Sequence, residues 1–212
     1  MENREQQHFQ QYQKPTGWRG KLTLRRMNVS HSGLTDWGLS QISIGSESTV
    51  LDVGCGGGRT LGKLAAMSSR GKVFGVDFSE ESVAGSKRTN ARSIKAGRIE
   101  VRHGSVSQLP FEDNTFDLVT AVETHFWWPN LDQDVREVFR VVKPGGTFVV
   151  IAELYKGANS AVSKKCEEQA SQTGMTILDI DGHREMLTGA GFIDVEVRVD
   201  PDRAWICAMG KK

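Results

Sequence analysis

The stretch that decides the fold runs from Thr49 to Gly58 and reads Thr-Val-Leu-Asp-Val-Gly-Cys-Gly-Gly-Gly. It begins as an apolar, β-branched run, typical of a buried strand, with the acid Asp52 near its end. Glycines follow, and helix-compatible sequence begins at Arg59. A strand that ends in glycines before a helix brings bare backbone N–H groups close to a ligand at the carboxyl edge of a parallel sheet. The stretch therefore predicts a nucleotide-cofactor site.

The spacing of the glycines narrows the type of cofactor. Dinucleotide binding favours G-x-G-x-x-G, and here Gly54 and Gly56 fill the first two positions while Arg59 occupies the third. A phosphate-binding loop of the Walker type is excluded, because no Gly-Lys-Ser/Thr closes the run. A glycine-rich turn without a ligand is the alternative, and the downstream sequence disfavours it.

A second apolar strand, Val73-Phe74-Gly75-Val76-Asp77, also ends in an acid. In strand–helix–strand folds such an acid accepts hydrogen bonds from ribose hydroxyls, which favours an adenosine without a 2′-phosphate. Asp77 could instead belong to the start of the next helix, where Ser79 is a suitable N-cap. The two interpretations are compatible.

Four ordered segments resemble the class I S-adenosylmethionine-dependent methyltransferases, in particular the branch of the ubiquinone and menaquinone methyltransferases. They are the stretches at 50–58 and 75–79, Leu-Pro-Phe-Glu-Asp-Asn-Thr-Phe-Asp-Leu-Val at 109–119, and Arg-Val-Val-Lys-Pro-Gly-Gly-Thr-Phe at 140–148. The resemblance implies an α/β fold, a doubly wound, Rossmann-like sheet of seven strands, mostly parallel with an antiparallel C-terminal edge strand. It also implies a methyltransferase domain over 46–212, preceded by an N-terminal segment over 1–45 that we expect to form a helical cap.

The same resemblance implies that S-adenosyl-L-methionine is the cofactor and S-adenosyl-L-homocysteine the product. The glycine loop would line the methionine portion, Asp77 would hold the ribose, and Phe78 would pack on the adenine or else lie in the core. Ser105 stands where many relatives carry an aspartate, so its contact with the adenine would lack charge. The residues expected to bind the cofactor are Asp52, Gly54, Cys55, Gly56, Gly58, Asp77, Phe78, Ser105, Val106 and Glu123.

The segment after the fourth predicted strand, Glu123 to Asn130, should face the transferable methyl group, because ligands sit beyond the carboxyl ends of such strands. His125 is the candidate general base, although a histidine among aromatics is also typical of packing. Glu123 could bind the methionine end of the cofactor or an amine acceptor. One of Trp127 and Trp128 should pack the following helix. The candidate substrate residues are His31, Trp127 and Tyr155.

Length and composition fit one α/β domain, and the resemblance implies that it transfers a methyl group to a small-molecule acceptor. The 212 residues include 27 basic and 26 acidic side chains, so no global field favours nucleic acid or a membrane surface as a partner. The cysteines, at positions 55, 166 and 207, lack metal-binding spacing and suggest reduced thiols in the cytoplasm, so we expect no metal site. The chain starts with a polar, Gln-rich stretch instead of a signal peptide.

Alternating apolar and helical stretches predict a parallel sheet with right-handed crossovers. Strands are predicted near 49–53, 72–76, 98–102, 116–122 and 146–152, with helices near 59–68, 80–96, 131–141, 159–173 and 180–190, and a final hairpin over 192–199 and 203–209. Two other functions stay open, namely methylation of RNA or protein and non-catalytic binding of S-adenosylmethionine. An NAD-dependent oxidoreductase is disfavoured by Arg59.

Overall fold

The structure, a computed structural model, describes residue 11 and residues 13 to 212. In this part of the chain, helices and strands alternate around one sheet. The strands are β1 (Val50–Val53), β2 (Val73–Asp77), β3 (Ile99–His103), β4 (Phe116–Val122), β5 (Val142–Ala152), β6 (Ile193–Asp200) and β7 (Trp205–Lys211). The helices are α1 (Gly17–Ser30), α2 (Ser32–Ser40), α3 (Arg59–Met67), α4 (Glu80–Thr89), α5 (Ala91–Lys95), α6 (Leu131–Val141), α7 (Ala161–Thr173) and α8 (Ile180–Ala190), with a 3-10 turn at His125–Trp127.

The described strands form one seven-stranded sheet in the order β3-β2-β1-β4-β5-β7-β6, which confirms the predicted fold class. Strands β1 to β5 pair in parallel. Strand β7 is antiparallel to β5 and lies one place inside the edge, which β6 occupies instead. The chain order reverses between β1 and β4, so a crevice opens beyond the carboxyl ends of these two strands.

Helices cover both faces of the sheet, and each face has its own apolar core. One core joins Phe116 and Phe148 of the sheet to Val138 of α6 and Leu187 of α8. The other is the face onto which α2, α3 and α4 pack. Buried side chains on both faces explain why the central strands read as near-continuous apolar runs.

Two predicted elements differ clearly from the structure. The helix predicted over 80–96 is broken at Asn90, whose side-chain amide donates to the carbonyl oxygens of Gly58 (2.7 Å) and Ser86 (3.1 Å). Strand β5 begins at Val142, earlier than predicted, and its register with β4 shifts near the start of the pair. Gly145 has a φ of 78° there, so the Pro-Gly-Gly segment forms an irregularity within the strand.

Helices α1 and α2 precede the first strand and pack differently. Leu34 and Leu39 of α2 belong to a sheet core, and a Cβ on Gly38 would lie 2.5 Å from the side chain of Ile151. Helix α1 packs mainly against α4 and buries Leu24. Most of the polar stretch predicted at the chain start lies outside the described residues. No helix in the described part of the chain is long and apolar enough to cross a membrane.

Candidate functional site

A cavity of about 370 Å³ opens beyond the carboxyl ends of β1, β2 and β4, where the order of the strands reverses. Its wall contains eleven of the predicted site residues: Asp52, Gly54, Cys55, Gly56, Asp77, Phe78, Ser105, Val106, Glu123, His31 and Trp127. Gly58, His125 and Tyr155 are not part of the wall. The cavity volume lies in the usual range for small-molecule and cofactor sites, about 300 to 1,000 Å³.

The glycine loop, residues 54–58, connects β1 to α3 and is held by backbone bonds to β2. The N–H groups of Gly54 and Cys55 donate to the carbonyl oxygen of Val76, at 2.8 and 3.1 Å. Gly54 has a φ of 75°, and a Cβ there would overlap the side chain of Thr124. The loop therefore requires glycine at this position for both conformation and space. Burial raises the pKa of the neighbouring Cys55 thiol well above its ordinary value, so the thiol stays protonated.

Gly58 serves packing, which corrects its predicted place in the cofactor wall. It precedes the first residue of α3 with a φ of 81°, and a Cβ there would overlap the side chains of Ser86 and Asn90. The residue therefore lets the loop and α3 approach α4 closely. It fulfils the packing function of the third glycine in dinucleotide-binding loops, one position earlier.

Asp77 at the end of β2 connects the glycine loop to the next helix. Its Oδ2 accepts from the N–H of Gly56 and its Oδ1 from the N–H of Ser79, both at 2.9 Å. Burial raises the pKa of the carboxyl group, and these two hydrogen bonds oppose the shift. The hydroxyl of Ser79 accepts from the N–H of Ser82 at 3.3 Å, so the interpretation as a helix start is confirmed. Asp77 also borders the cavity.

Asp52 borders the cavity from β1 and is 2% exposed. Its Oδ1 accepts from the hydroxyl of Thr120 at 2.7 Å. Burial raises the pKa of this carboxyl group to about 7, with the charge of Asp77 adding to the effect and the Thr120 bond opposing it. A buried carboxyl group that ionises near neutral pH is suited to bind a positively charged ligand group.

Phe78, Ser105 and Val106 form another part of the wall. Phe78 is 40% exposed, so the alternative that it lies in the core is wrong. Its ring lies 5.5 Å from the ammonium group of Lys14. The hydroxyl of Ser105 accepts from the N–H of Ser107 at 3.2 Å, which leaves its own proton available to a ligand.

The two tryptophans after β4 have different environments. Trp128 is buried and stacks on Phe148 with ring centroids 6.2 Å apart, which confirms that one of the pair packs the core. Trp127 is only partly buried, and both tryptophans border the cavity.

His125 is buried in a histidine pair, away from the cavity wall. Its Nε2 lies 3.2 Å from the Nε2 of His183, and the Nδ1 of His183 lies 2.7 Å from the carbonyl oxygen of Asp179. His183 therefore donates through Nδ1 and accepts at Nε2, so His125 donates to it. The Nδ1 of His125 is buried without a hydrogen-bond partner. Burial lowers the pKa of both imidazoles. The predicted base role does not fit this position.

Tyr155 is likewise buried, in an apolar cluster with Phe126, Leu154 and Met175. Its predicted contact with a substrate does not fit this position, because the ring belongs to the packing between β5 and the segment that follows.

His31 and Glu123 border the cavity, and Glu153, which sequence reasoning missed, lies next to them outside the wall. The Nε2 of His31 lies 3.7 Å from the Oε1 of Glu153, and the Oε1 of Glu123 accepts from the N–H of Glu153 at 2.6 Å. Burial raises the pKa of Glu123 well above its ordinary value, with the charge of Glu153 adding to the shift. Burial lowers the pKa of His31, and Glu153 opposes this. Glu153 follows β5 as Glu123 follows β4, so strand-end position was the signal that could have identified it.

The wall also contains residues that no motif could have identified. Leu24 and Met27 come from α1, and Gly174 follows α7. They reach the cavity through packing between elements that are distant in sequence.

Comparison with known proteins identifies relatives of the chain. Residues 51–150 match a family described as a methyltransferase domain. The chain is 33% identical over 199 residues to the demethylmenaquinone methyltransferase of Shouchella clausii, covering 81% of this chain and 80% of that protein. It is 36% identical over 142 residues to the demethylmenaquinone methyltransferase of Bacillus mycoides, covering 66% of this chain and 52% of that protein. This second match thus spans about half of the relative's length.

Solved structures share the fold. A chain of the complex between the Haloferax volcanii Trm112 methyltransferase activator and the putative methyltransferase superposes with a TM-score of 0.78 at 21% identity, covering 92% of this chain and 95% of that chain. A SAM-dependent methyltransferase from Aquifex aeolicus gives 0.68 at 20% identity, covering 89% and 96%. Haemonchus contortus phosphoethanolamine N-methyltransferase 2, solved with S-adenosyl-L-methionine, gives 0.72 at 19% identity, covering 85% and 52%.

Proposed function

The chain belongs to the class I S-adenosylmethionine-dependent methyltransferases, in the quinone methyltransferase-like branch, and we propose that it methylates a small-molecule acceptor of the quinol type. The proposal rests on one observation: the glycine loop and Asp77 line the same cavity as a second wall suited to a flat aromatic ligand. This acceptor wall consists of Met27, His31, Glu123 and Trp127. The relationship to demethylmenaquinone methyltransferases supports a quinol as acceptor.

The residues of the first wall fit the cofactor. Asp52 and the backbone of Gly54 and Gly56 are proposed to hold the methionine end, because a carboxylate attracts its ammonium group. The absent Cβ at Gly54 leaves room for the side chain of Thr124, which packs against the loop. Asp77 is proposed to accept from the ribose hydroxyls, since each of its oxygens keeps a lone pair beyond the backbone bond it already accepts. Phe78, Ser105 and Val106 would surround the adenine.

When bound, S-adenosylmethionine supplies an activated methyl group on a positively charged sulfur, which an acceptor displaces in line. The protein's own contribution is alignment and the exclusion of water. Trp127 offers an aromatic face against which a planar acceptor can stack. His31 and Glu123 provide polar groups that can hold an acceptor hydroxyl and receive its proton.

We propose that residues 1–45 act as a cap over the domain formed by residues 46–212. In support, Leu24, Met27 and His31 from this segment border the cavity. We also propose a cytoplasmic location, which the three unpaired, buried cysteines support.

The test uses the full chain and methyl-labelled S-adenosylmethionine, first with a chemically reduced, prenylated naphthoquinone and then with a low-mass metabolite extract. We expect saturable binding of the cofactor in calorimetry and transfer of label to the quinol, detected by chromatography with mass spectrometry. The Asp77→Ala variant serves as the control that should lose both. Label in RNA or protein, with none in low-mass products, would refute the small-molecule acceptor, and saturable binding of NAD would refute the choice of cofactor.

A further inference from the structure

Three potential metal ligands from distant parts of the sequence meet at the acceptor wall. His31 lies between α1 and α2, Glu123 follows β4, and Glu153 follows β5. One ligand atom from each lies within 4.8 Å of the others. Although the spacing of the cysteines predicted no metal site, we infer that His31, Glu123 and Glu153 form a divalent-cation site at the acceptor end of the cavity.

The distances suit a shared ion after a small adjustment. Nitrogen and oxygen ligands bind transition metals at about 2.0 to 2.2 Å, so two ligands of one ion lie roughly 3 to 4.4 Å apart. The Nε2 of His31 and the Oε1 of Glu153, 3.7 Å apart, already satisfy this condition. The widest pair, within 4.8 Å, would need to close by about 0.4 Å to enter this range, which side-chain rotation can supply.

The backbone holds two of the ligands in fixed relation. Strands β4 and β5 are neighbours in register, with Val122 opposite Ile151, so their carboxyl ends lie side by side. The hydrogen bond from the N–H of Glu153 to Glu123 connects the two strand ends directly. This bond holds the Glu123 carboxylate beside the backbone of Glu153 before any ion arrives.

The charge of this group points to a cation. Glu153 is paired with the imidazole of His31, and its N–H donates to Glu123, so the two carboxylates lie at adjoining positions. Two adjacent, partly buried carboxylates repel each other, and a divalent ion would offset this repulsion.

The side chain of His31 does not cap the helix that it precedes. It is the N-cap residue of α2, where Ser, Thr, Asp or Asn would normally bind the first N–H groups, yet it makes no side-chain cap bond. Its imidazole turns instead toward Glu153.

The ligand set indicates the type of ion. One imidazole with two carboxylates suits Mn²⁺, Fe²⁺, Co²⁺ or Zn²⁺ better than the all-oxygen sites that Ca²⁺ and Mg²⁺ prefer. Because His31 and Glu123 border the cavity, the remaining coordination positions face it. A role in the reaction rests on the proposed function: an acceptor hydroxyl bound to the ion would lose its proton to solvent more easily.

The test is titration of the chelator-treated full chain with Mn²⁺, followed by the electron paramagnetic resonance signal of the free ion. We expect one saturable site and at least a tenfold loss of affinity in each of Glu123→Gln, Glu153→Gln and His31→Ala. Glu47→Gln, a change at an exposed glutamate paired with Arg70, is the matched control and should bind as the parent does. Thermal unfolding by circular dichroism confirms that each variant is folded.

Absence of saturable Mn²⁺ binding at millimolar concentration would overturn the inference, as would an equal loss of affinity in the control. Glu153 does not border the cavity wall, so Glu153→Gln should lose Mn²⁺ while keeping S-adenosylmethionine affinity. A chain that transfers methyl groups in excess chelator and binds no Mn²⁺ would refute the cation site and leave the proposed function standing. A chain that binds Mn²⁺ but no S-adenosylmethionine would refute the proposed function and leave the cation site standing.

Discussion

Replacing Asp52 by asparagine should stabilise the ligand-free protein, and more so at alkaline than at acid pH. The pKa of this carboxyl group is about 7 in the folded chain, against an ordinary value of 3.8. A raised carboxyl pKa means that stability is lost as pH rises from about 4 through 7, because the folded state must ionise a buried group. At ~1.4 kcal/mol per pKa unit, the full loss is about 4 kcal/mol above pH 7, and at pH 5 it is about 1.7 kcal/mol.

The asparagine is neutral and nearly isosteric, and its side-chain oxygen can keep the bond from Thr120. We therefore expect Asp52→Asn to have a larger free energy of unfolding in urea than the parent. This stability difference should be about 2.5 kcal/mol larger at pH 8 than at pH 5. Asp202→Asn, a change at an exposed aspartate, is the control and should show no such difference.

The same substitution should weaken cofactor binding. The affinity of the parent for S-adenosylmethionine should rise between pH 6 and pH 8 as Asp52 ionises, whereas that of the variant should stay flat. Calorimetry at several pH values measures both. An equal stability difference at the two pH values, or an unchanged affinity, would refute the reasoning about Asp52.

Three further outcomes are expected. Asp77→Ala should weaken S-adenosylmethionine binding by more than about tenfold, because a charged acceptor is lost, and calorimetry with unchanged affinity would contradict this. His183→Gln should have a lower free energy of unfolding in urea than the parent at neutral pH. This difference should shrink below about pH 6.5, because the lowered imidazole pKa values there cost the parent ~1.4 kcal/mol per pH unit for each group. A difference that does not change with pH would refute this expectation. Gly54→Ala should abolish cofactor binding. The control, Gly97→Ala, has a similar φ of 71° but open space around it and should cost only about 1 kcal/mol of stability. Equal effects of the two substitutions in thermal unfolding and calorimetry would show that backbone strain alone matters.

The sequence predicted those parts of the site that depend on local pattern. The glycine loop and Asp77 follow directly from strand ends and turn chemistry, and the structure brings both to one cavity. His125 illustrates the limit. Its position after β4 was right, but the 3-10 turn directs its imidazole into the packing with α8, which depends on His183.

The meeting of His31 with Glu123 and Glu153 was beyond sequence reasoning for a related reason. Each residue is unremarkable in its own segment, and only the order of strands and the placement of α1 bring them together. The predicted role of Gly58 in cofactor binding differed from the structure, because a glycine can allow either a ligand or a neighbouring helix to approach the backbone. Here the side chains of Ser86 and Asn90 fill the space beside Gly58, which could not be read from the sequence.

The close contact of α2 with the sheet limits how this enzyme can be diversified. Gly38 lies against Ile151 so tightly that no larger residue fits, and the flanking leucines complete a core. Helix α1, by contrast, contributes Leu24 and Met27 to the cavity and packs mainly against α4. A chimaera that exchanges acceptor-facing segments among relatives should therefore join ahead of Ser32, since a joint after α2 would import a foreign piece of the core along with the new specificity.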